Sequence, residues 1–217
     1  IQTYVERDVR SIRHVQDLSA FQQFLRVIAG RVGQVLDLTS IGNDCGLTHT
    51  TVKSWIRLLE ATFIIFLLRP HHAHFRKRLI KRPKLYFYDT GLLSSLLGMT
   101  EPSQLVSHYS RGSIFESFVI SDLMKRRSHT LSHSTFSFWR DSKGVEVDCL
   151  IENAGSVIPI EIKSAKTINA SFFDGLREWM HLANETEKPV LVYGGKASQQ
   201  RTAARVVGWR DIGSIPI

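Results

Sequence analysis

Two neighbouring segments in the second half of the chain alternate apolar and polar side chains, the pattern of half-buried β-strands. Residues 145–151 place Asp148 on the polar face of the first strand, and residues 157–163 place Glu161 and Lys163 on that of the second. The apolar faces carry Val147, Cys149 and Ile151 in the first segment and Ile158, Ile160 and Ile162 in the second. Pairing of the strands predicts two carboxylates and an ammonium on one side of a sheet. Such oxygens suit a divalent metal ion, and such a cation suits a phosphate.

A helix is predicted upstream, over residues 112–127, and it is apolar around most of its circumference, which indicates a buried helix. Glu116 shares one face of this helix with Val119, Ile120 and Leu123, at spacings of three, four and seven residues. Burying a carboxylate is costly unless a partner group balances its charge. Glu116 is therefore a candidate third acid for the same site.

The order of the elements in this half is as informative as the residues. The pattern predicts a helix, three strands, a helix and a strand, an αβββαβ order over residues 112–127, 134–140, 145–151, 157–163, 170–182 and 189–193. The second helix has one apolar stripe, made of Phe172, Phe173, Leu176, Trp179 and Met180. Glu146 shares the polar face of Asp148, as a supporting group or as a solvated surface residue.

This order, with Glu116, then Asp148, then Glu161-Ile162-Lys163, resembles the core of the PD-(D/E)xK nuclease-like superfamily. The resemblance implies a catalytic site that binds Mg²⁺ or Mn²⁺. Asp148 and Glu161 would hold the ion, Glu116 would complete the ligand set, and Lys163 would orient the attacking water. Glu-Ile-Lys is also a common strand tripeptide, and a solvated edge strand is the alternative interpretation.

The first half predicts a DNA-binding arrangement. Residues 35–60 read as two helices joined by a turn at Gly46 and Leu47, with Thr48 capping the second helix. Val52, Trp55, Ile56 and Leu59 form the buried stripe of that second helix. Its outward positions are the polar ones that a recognition helix presents to a groove: Thr50, Thr51, Lys53, Ser54 and Arg57.

Two predicted strands, residues 62–68 and 84–88, follow the helix pair and would form a wing. The loop between them is strongly basic, with Arg76, Lys77, Arg78, Lys81 and Arg82. A winged helix with this loop predicts DNA contact, and a helix pair used for protein contacts is the alternative.

Composition agrees with a basic, globular α/β chain. Its 217 residues, 43% of them hydrophobic, suffice for one large domain or two small ones. The formal net charge is +8, of which residues 1–110 carry +6, and an anionic partner is expected. Cys45 and Cys149 fall in different predicted domains, so we expect reduced, buried thiols of a cytoplasmic protein. No apolar run is long enough to span a membrane, so no membrane partner is expected.

Motifs spread along the chain resemble the C-terminal part of an uncharacterised family of prokaryotic AAA+ ATPases. They are Tyr4–Arg10, Lys81–Leu92, Gly112–Glu116, Arg140-Asp141 with Glu146-Val147-Asp148, and Glu161–Lys163. The resemblance implies an ATPase module, then a winged helix, then a nuclease-like domain of unknown function. This sequence has no Walker A or Walker B motif and begins with Ile1. We therefore expect a piece of a longer protein, with ATP bound only by the missing module.

The expected domains are a helical lead-in at 1–34, a winged helix-turn-helix at 35–98, a linker at 99–111 and a nuclease-like domain at 112–217. The expected function is DNA binding with metal-dependent phosphodiester cleavage. A non-catalytic module for docking DNA or protein, or for assembling a homo-oligomer, is the alternative. The expected partners are DNA and the chain's own ATPase module.

Overall fold

The computed structural model describes residues 17–71, 80–183 and 187–217 of this mixed α/β chain. The helices are α1 (Leu18–Ala29), α2 (Leu38–Cys45), α3 (His49–Ala61), α4 (Thr90–Leu96), α5 (Gln104–Ser107), α6 (Arg111–His129) and α7 (Asp174–Ala183). The strands are β1 (Ile65–Pro70), β2 (Lys84–Phe87), β3 (Thr135–Arg140), β4 (Glu146–Asn153), β5 (Ser156–Lys163), β6 (Val190–Tyr193), β7 (Gln199–Gln200) and β8 (Arg205–Gly208). They form an eight-stranded mixed sheet of order β2-β1-β3-β4-β5-β6-β8-β7.

The chain divides into two compact units. The first unit comprises residues 1–67 and 84–117, and the second comprises residues 68–83 and 118–217. Strand β1 and helix α6 each run from one unit into the other along the chain. No helix within the described ranges has the length and apolar character needed to cross a membrane.

The helix pair predicted in the first unit is confirmed, with its local signals in the expected places. The side chain of Asp37 caps α2, and Gly46 ends it in the left-handed conformation, with φ of 66°. Thr48 then caps α3 through the amide of Thr51. The predicted stripe of α3 is buried, and Trp55 meets the edges of Phe21 and Phe24 of α1 at centroid distances of 5.1 and 5.3 Å.

The strands predicted as a wing differ from that expectation. Strands β1 and β2 are neighbours in the sheet, but β1 starts at Ile65 and continues to Pro70. Its last two residues, Arg69 and Pro70, pair in parallel with Ser137 and Phe138 of β3. The two strands are therefore part of the large sheet and not a free-standing hairpin. Residues 72–79 of the basic loop lie outside the described residues.

The helix–strand order predicted for the second half is confirmed. Strands β3, β4 and β5 are antiparallel neighbours, and β5, β6 and β8 run parallel. The predicted second helix is divided, because Asn169 caps a short 3-10 turn over Ala170–Phe173 before α7 begins. Helix α7 packs over the sheet on a core that includes Trp139, Val147, Leu150, Phe173, Leu176, Trp179 and Leu191.

Both cysteines are buried and neither forms a disulfide, as expected. Burial raises the pKa of the Cys45 thiol, and the neighbouring Asp44 carboxylate adds to this effect. A thiol held in its protonated form is a poor nucleophile and a poor metal ligand, so Cys45 is a packing residue of α2.

Candidate metal centre

The pairing of β4 with β5 brings the two acids of the second unit together. Cys149 lies opposite Ile160, and continuing this register by one residue places Asp148 opposite Glu161. Both residues are only 7% exposed. Lys163 lies two residues beyond Glu161 on β5, so it emerges from the same side of the strand. The sequence prediction that these three groups meet is thus realised in the structure.

A β-bulge interrupts β4 at this place. The register between β3 and β4 shifts by one residue, so Asp148 and Cys149 together lie across from Phe138. The strict alternation that the sequence predicts for β4 is broken there. Asp148 turns toward β5, where its Oδ2 accepts a hydrogen bond of 2.8 Å from the amide of Ile162. This hydrogen bond holds the carboxylate against the backbone of the next strand.

Lys163 bridges the two acids. Its Nζ donates to Glu161 Oε1 and lies 3.8 Å from Asp148 Oδ2. The lysine side chain is 34% exposed, whereas the carboxylate side chains are almost completely covered. Two acids thus share one cation, and the cation is the member of the group nearest to solvent.

Glu146 contributes a third carboxylate to this part of the second unit. One of its oxygens lies within 4.8 Å of an oxygen of Asp148, and it forms an ion pair of 3.4 Å with Arg140. These contacts favour the supporting group over the solvated surface residue, the two alternatives for Glu146. The signal in the sequence was the polar face that Glu146 shares with Asp148.

Helix α7 approaches the site closely at Gly175. A Cβ atom at this position would lie 2.2 Å from the carbonyl oxygen of Glu146 and 3.5 Å from Glu161 Oε2. Only glycine allows the helix backbone to come so near to the strand. Gly175 has no distinguishing signal in the sequence, because the contact depends on the packing of two distant segments.

Glu116, the fourth predicted residue, belongs to the first unit. It lies on α6, where its Oε1 accepts hydrogen bonds from Lys84 Nζ, at 3.2 Å, and from the hydroxyl of Tyr86. Lys84 is only 3% exposed. The partner that a buried carboxylate requires is therefore present, and Glu116 does not depend on a metal ion for its burial. Lys84 and Tyr86 are two residues apart on β2, so strand alternation places their side chains on the same face of the strand. This spacing was the signal available in the sequence.

The donor set in the second unit fits a divalent metal ion. Carboxylate oxygens are the ligands that Mg²⁺ and Mn²⁺ prefer in proteins. Asp148 holds its Oδ2 on the backbone of β5, while its Oδ1 accepts no hydrogen bond from any residue that the structure describes. One acid is thereby oriented and keeps a lone pair for a ligand, which is the arrangement that a metal-binding carboxylate needs.

The predicted DNA-binding residues are placed on the surface where the structure describes them. Thr50, Lys53, Ser54 and Arg57 are exposed on α3, and Thr51 is half-buried against the capping Thr48. Of the basic loop, Lys81 and Arg82 are exposed. Arg76, Lys77 and Arg78 lie outside the described residues. Their contact with DNA stays a prediction.

Two family models match the chain, each over about half of it. Residues 1–103 match the model described as Domain of unknown function (DUF8612), and residues 111–212 match Domain of unknown function (DUF4143). The chain is also similar to Uncharacterized protein Mb2031c of Mycobacterium bovis and Uncharacterized protein Rv2008c of Mycobacterium tuberculosis. Each is 26% identical over 171 residues, which cover 79% of this chain and 38% of the relative. The chain therefore spans well under half the length of these relatives.

Proposed function

We propose that this chain binds DNA and cleaves phosphodiester bonds with the help of Mg²⁺ or Mn²⁺. The observation that carries the proposal is the group of Asp148, Glu161 and Lys163 on paired strands of the second unit. Two buried acids beside one lysine supply both metal ligands and a cation for the phosphate. We infer that the second unit has a PD-(D/E)xK nuclease-like architecture, and that the helix pair of the first unit acts as a winged helix.

Each of these residues would have a separate role in the reaction. Asp148 and Glu161 would hold the ion, which when bound supplies Lewis-acid stabilisation of the phosphate charge. Lys163 would orient the attacking water and balance negative charge on the phosphate. Gly175 and the bulge at Asp148 would keep the carboxylates in register. Glu116 keeps the place in the ligand set that the sequence resemblance implies.

A cleavage assay tests the reaction. Single- and double-stranded DNA and RNA would be incubated with the full chain and Mg²⁺ or Mn²⁺. The variants D148N and E161Q should each lose cleavage by at least about a thousandfold, because each removes an ionic ligand. E152Q is the matched control, since Glu152 lies on the same strand as Asp148 and is half-exposed. It should cleave at the wild-type rate.

The result also decides between the enzyme and its rival. Equal cleavage by wild type, D148N and E161Q would assign the activity to a contaminant. No cleavage of any nucleic acid and no metal-dependent stabilisation of the wild type would leave the non-catalytic docking module as the better proposal.

DNA binding is tested through its dependence on salt. Each phosphate contact adds about 0.9 to the slope of log affinity against log salt. Replacing Lys53 and Arg57 with alanine should weaken binding and flatten this slope, and so should alanine at the five basic loop positions. K166A, an exposed change in the second unit, is the control and should leave the slope unaltered. An unchanged slope in the α3 and loop variants would remove the first unit from the proposed interface.

From the sequence resemblance, we further propose that an AAA+ ATPase module and other copies of the chain are its protein partners. Such a module would couple ATP use to the position of the nuclease-like site on DNA.

A further inference from the structure

The position of Lys163 bears on how a metal ion reaches its ligands. The ammonium contacts Glu161 Oε1 and lies 3.8 Å from Asp148 Oδ2, so it lies beside both acids that would bind an ion. A divalent cation bound to the same two carboxylates would lie close to the ammonium, and the two positive charges would repel each other. Binding of the ion therefore favours the departure of the other cation.

Burial decides which group can move. The carboxylates are fixed, since Asp148 is tied to the amide of Ile162 and both acids are 7% exposed. The lysine side chain is 34% exposed, and its long aliphatic stem allows the ammonium to turn to solvent. The ammonium can therefore turn away from the site, whereas the acids are held in place.

We infer that Lys163 is a resident counter-ion, which a divalent metal ion displaces when it binds to Asp148 and Glu161. This inference rests on the proposed metal site and describes how binding of the ion to that site is regulated. Two opposed carboxylates would repel each other without a cation, and Lys163 keeps them together until the ion arrives. Once displaced, the ammonium projects toward solvent, where the phosphate of a substrate would approach.

The first test compares metal affinities by calorimetry with Mn²⁺. K163M removes the competing cation and retains much of the aliphatic stem, so it should bind Mn²⁺ at least about tenfold more tightly than the wild type. K166M removes an exposed lysine three residues away and should bind within about twofold of the wild type. Equal or weaker binding by K163M would overturn the displacement, while leaving the metal site itself in place.

The second test uses the wild-type chain alone, so it does not depend on the folding of a variant. An amine-reactive label, quantified for each lysine by mass spectrometry, should modify Lys163 several-fold more in the presence of Mn²⁺. Lys166 should be labelled equally with and without the ion, and the buried Lys84 should stay protected under both conditions.

The outcomes separate this inference from the proposed function. If Mn²⁺ binds but labelling of Lys163 stays constant or falls, the lysine remains in the site and only the displacement is wrong. If neither the wild type nor K163M binds Mn²⁺, the proposed metal site fails and the displacement fails with it.

Discussion

The two units each hold a lysine beside carboxylate groups, and the two arrangements differ in charge balance and in exposure. In the first unit, Lys84 meets the single acid Glu116, to which Tyr86 also donates, and the lysine is almost fully buried. In the second, Lys163 is shared by two acids and reaches solvent. Among these contacts, the first group has one cation for one acid and is closed, whereas the second has one cation for two acids and an open side.

The difference shows what distinguishes a structural ion pair from a candidate metal site. Both groups satisfy the rule that buried charges are paired. The second group alone pairs its cation with two acids and leaves it partly exposed, and these are the conditions that the inferred exchange of the cation requires. Sequence motifs alone do not separate the cases, since each consists of common strand residues near an acid.

The largest effect on stability is expected at Lys84. K84M leaves Glu116 in a mostly buried position without its cation, and this should cost about 3–5 kcal/mol in the free energy of unfolding. K163M should also cost stability, because it leaves Asp148 and Glu161 without the cation they share, but less than K84M, because water reaches the exposed side of this group. Urea unfolding of both variants measures the contrast.

A double variant shows whether the cost at Lys84 arises from the stranded acid. K84M/E116L removes both charges, and it should recover most of the stability that K84M loses. Costs of similar size for K84M and K163M would contradict the division into a closed and an open group.

Most features that depend on short-range signals, such as helix caps and hydrophobic periodicity, were predictable from the sequence. The helix pair of the first unit was predictable because Asp37, Gly46 and Thr48 cap and end its helices within a few residues of the chain. The order of elements from α6 to β6 followed from hydrophobic periodicity. The meeting of Asp148 with Glu161 followed from strand alternation and a short connection, which favours antiparallel pairing.

What sequence missed depends on contacts between distant segments. Lys84 and Glu116 are 32 residues apart, so no local pattern indicates their pairing. The parallel pairing of β1 with β3 joins residues almost 70 positions apart, which is why the predicted wing did not emerge as a separate hairpin. The bulge at Asp148 has no marker such as a glycine. The short strands β7 and β8 also escaped prediction.

The second-largest effect on stability is expected at Gly175 of helix α7, which lies over the open group of the second unit. G175A would place a methyl group 2.2 Å from the carbonyl oxygen of Glu146, so helix α7 would have to shift away from β4. We expect a loss of about 2–3 kcal/mol, measured by urea unfolding, and weaker Mn²⁺ binding because the strand moves with its acids.

G112A is the matched control for this change. Gly112 also lies in a helix, but a methyl group there would meet nothing within 4 Å. Alanine should stabilise that helix by up to about 1 kcal/mol. A stability loss of similar size in both variants would show that the close contact at Gly175 is not the cause.

The smallest effect sharpens the description of the closed group, and it concerns the hydroxyl of Tyr86. Y86F removes the donor to Glu116 but retains the ring, which stacks on Phe66 at a centroid distance of 5.5 Å. A hydrogen bond to an ionised group contributes more than one to a neutral group, so we expect a loss of about 1.5–2 kcal/mol.

Y193F is the matched control in the second unit, because the Tyr193 hydroxyl donates to the neutral carbonyl of Ala197 at 2.8 Å. That change should cost about 0.5–1 kcal/mol, and both losses are measurable by urea unfolding. If Y86F costs no more than Y193F, the Tyr86 hydroxyl does not help to balance the charge of Glu116, and Tyr86 has no part in closing the group.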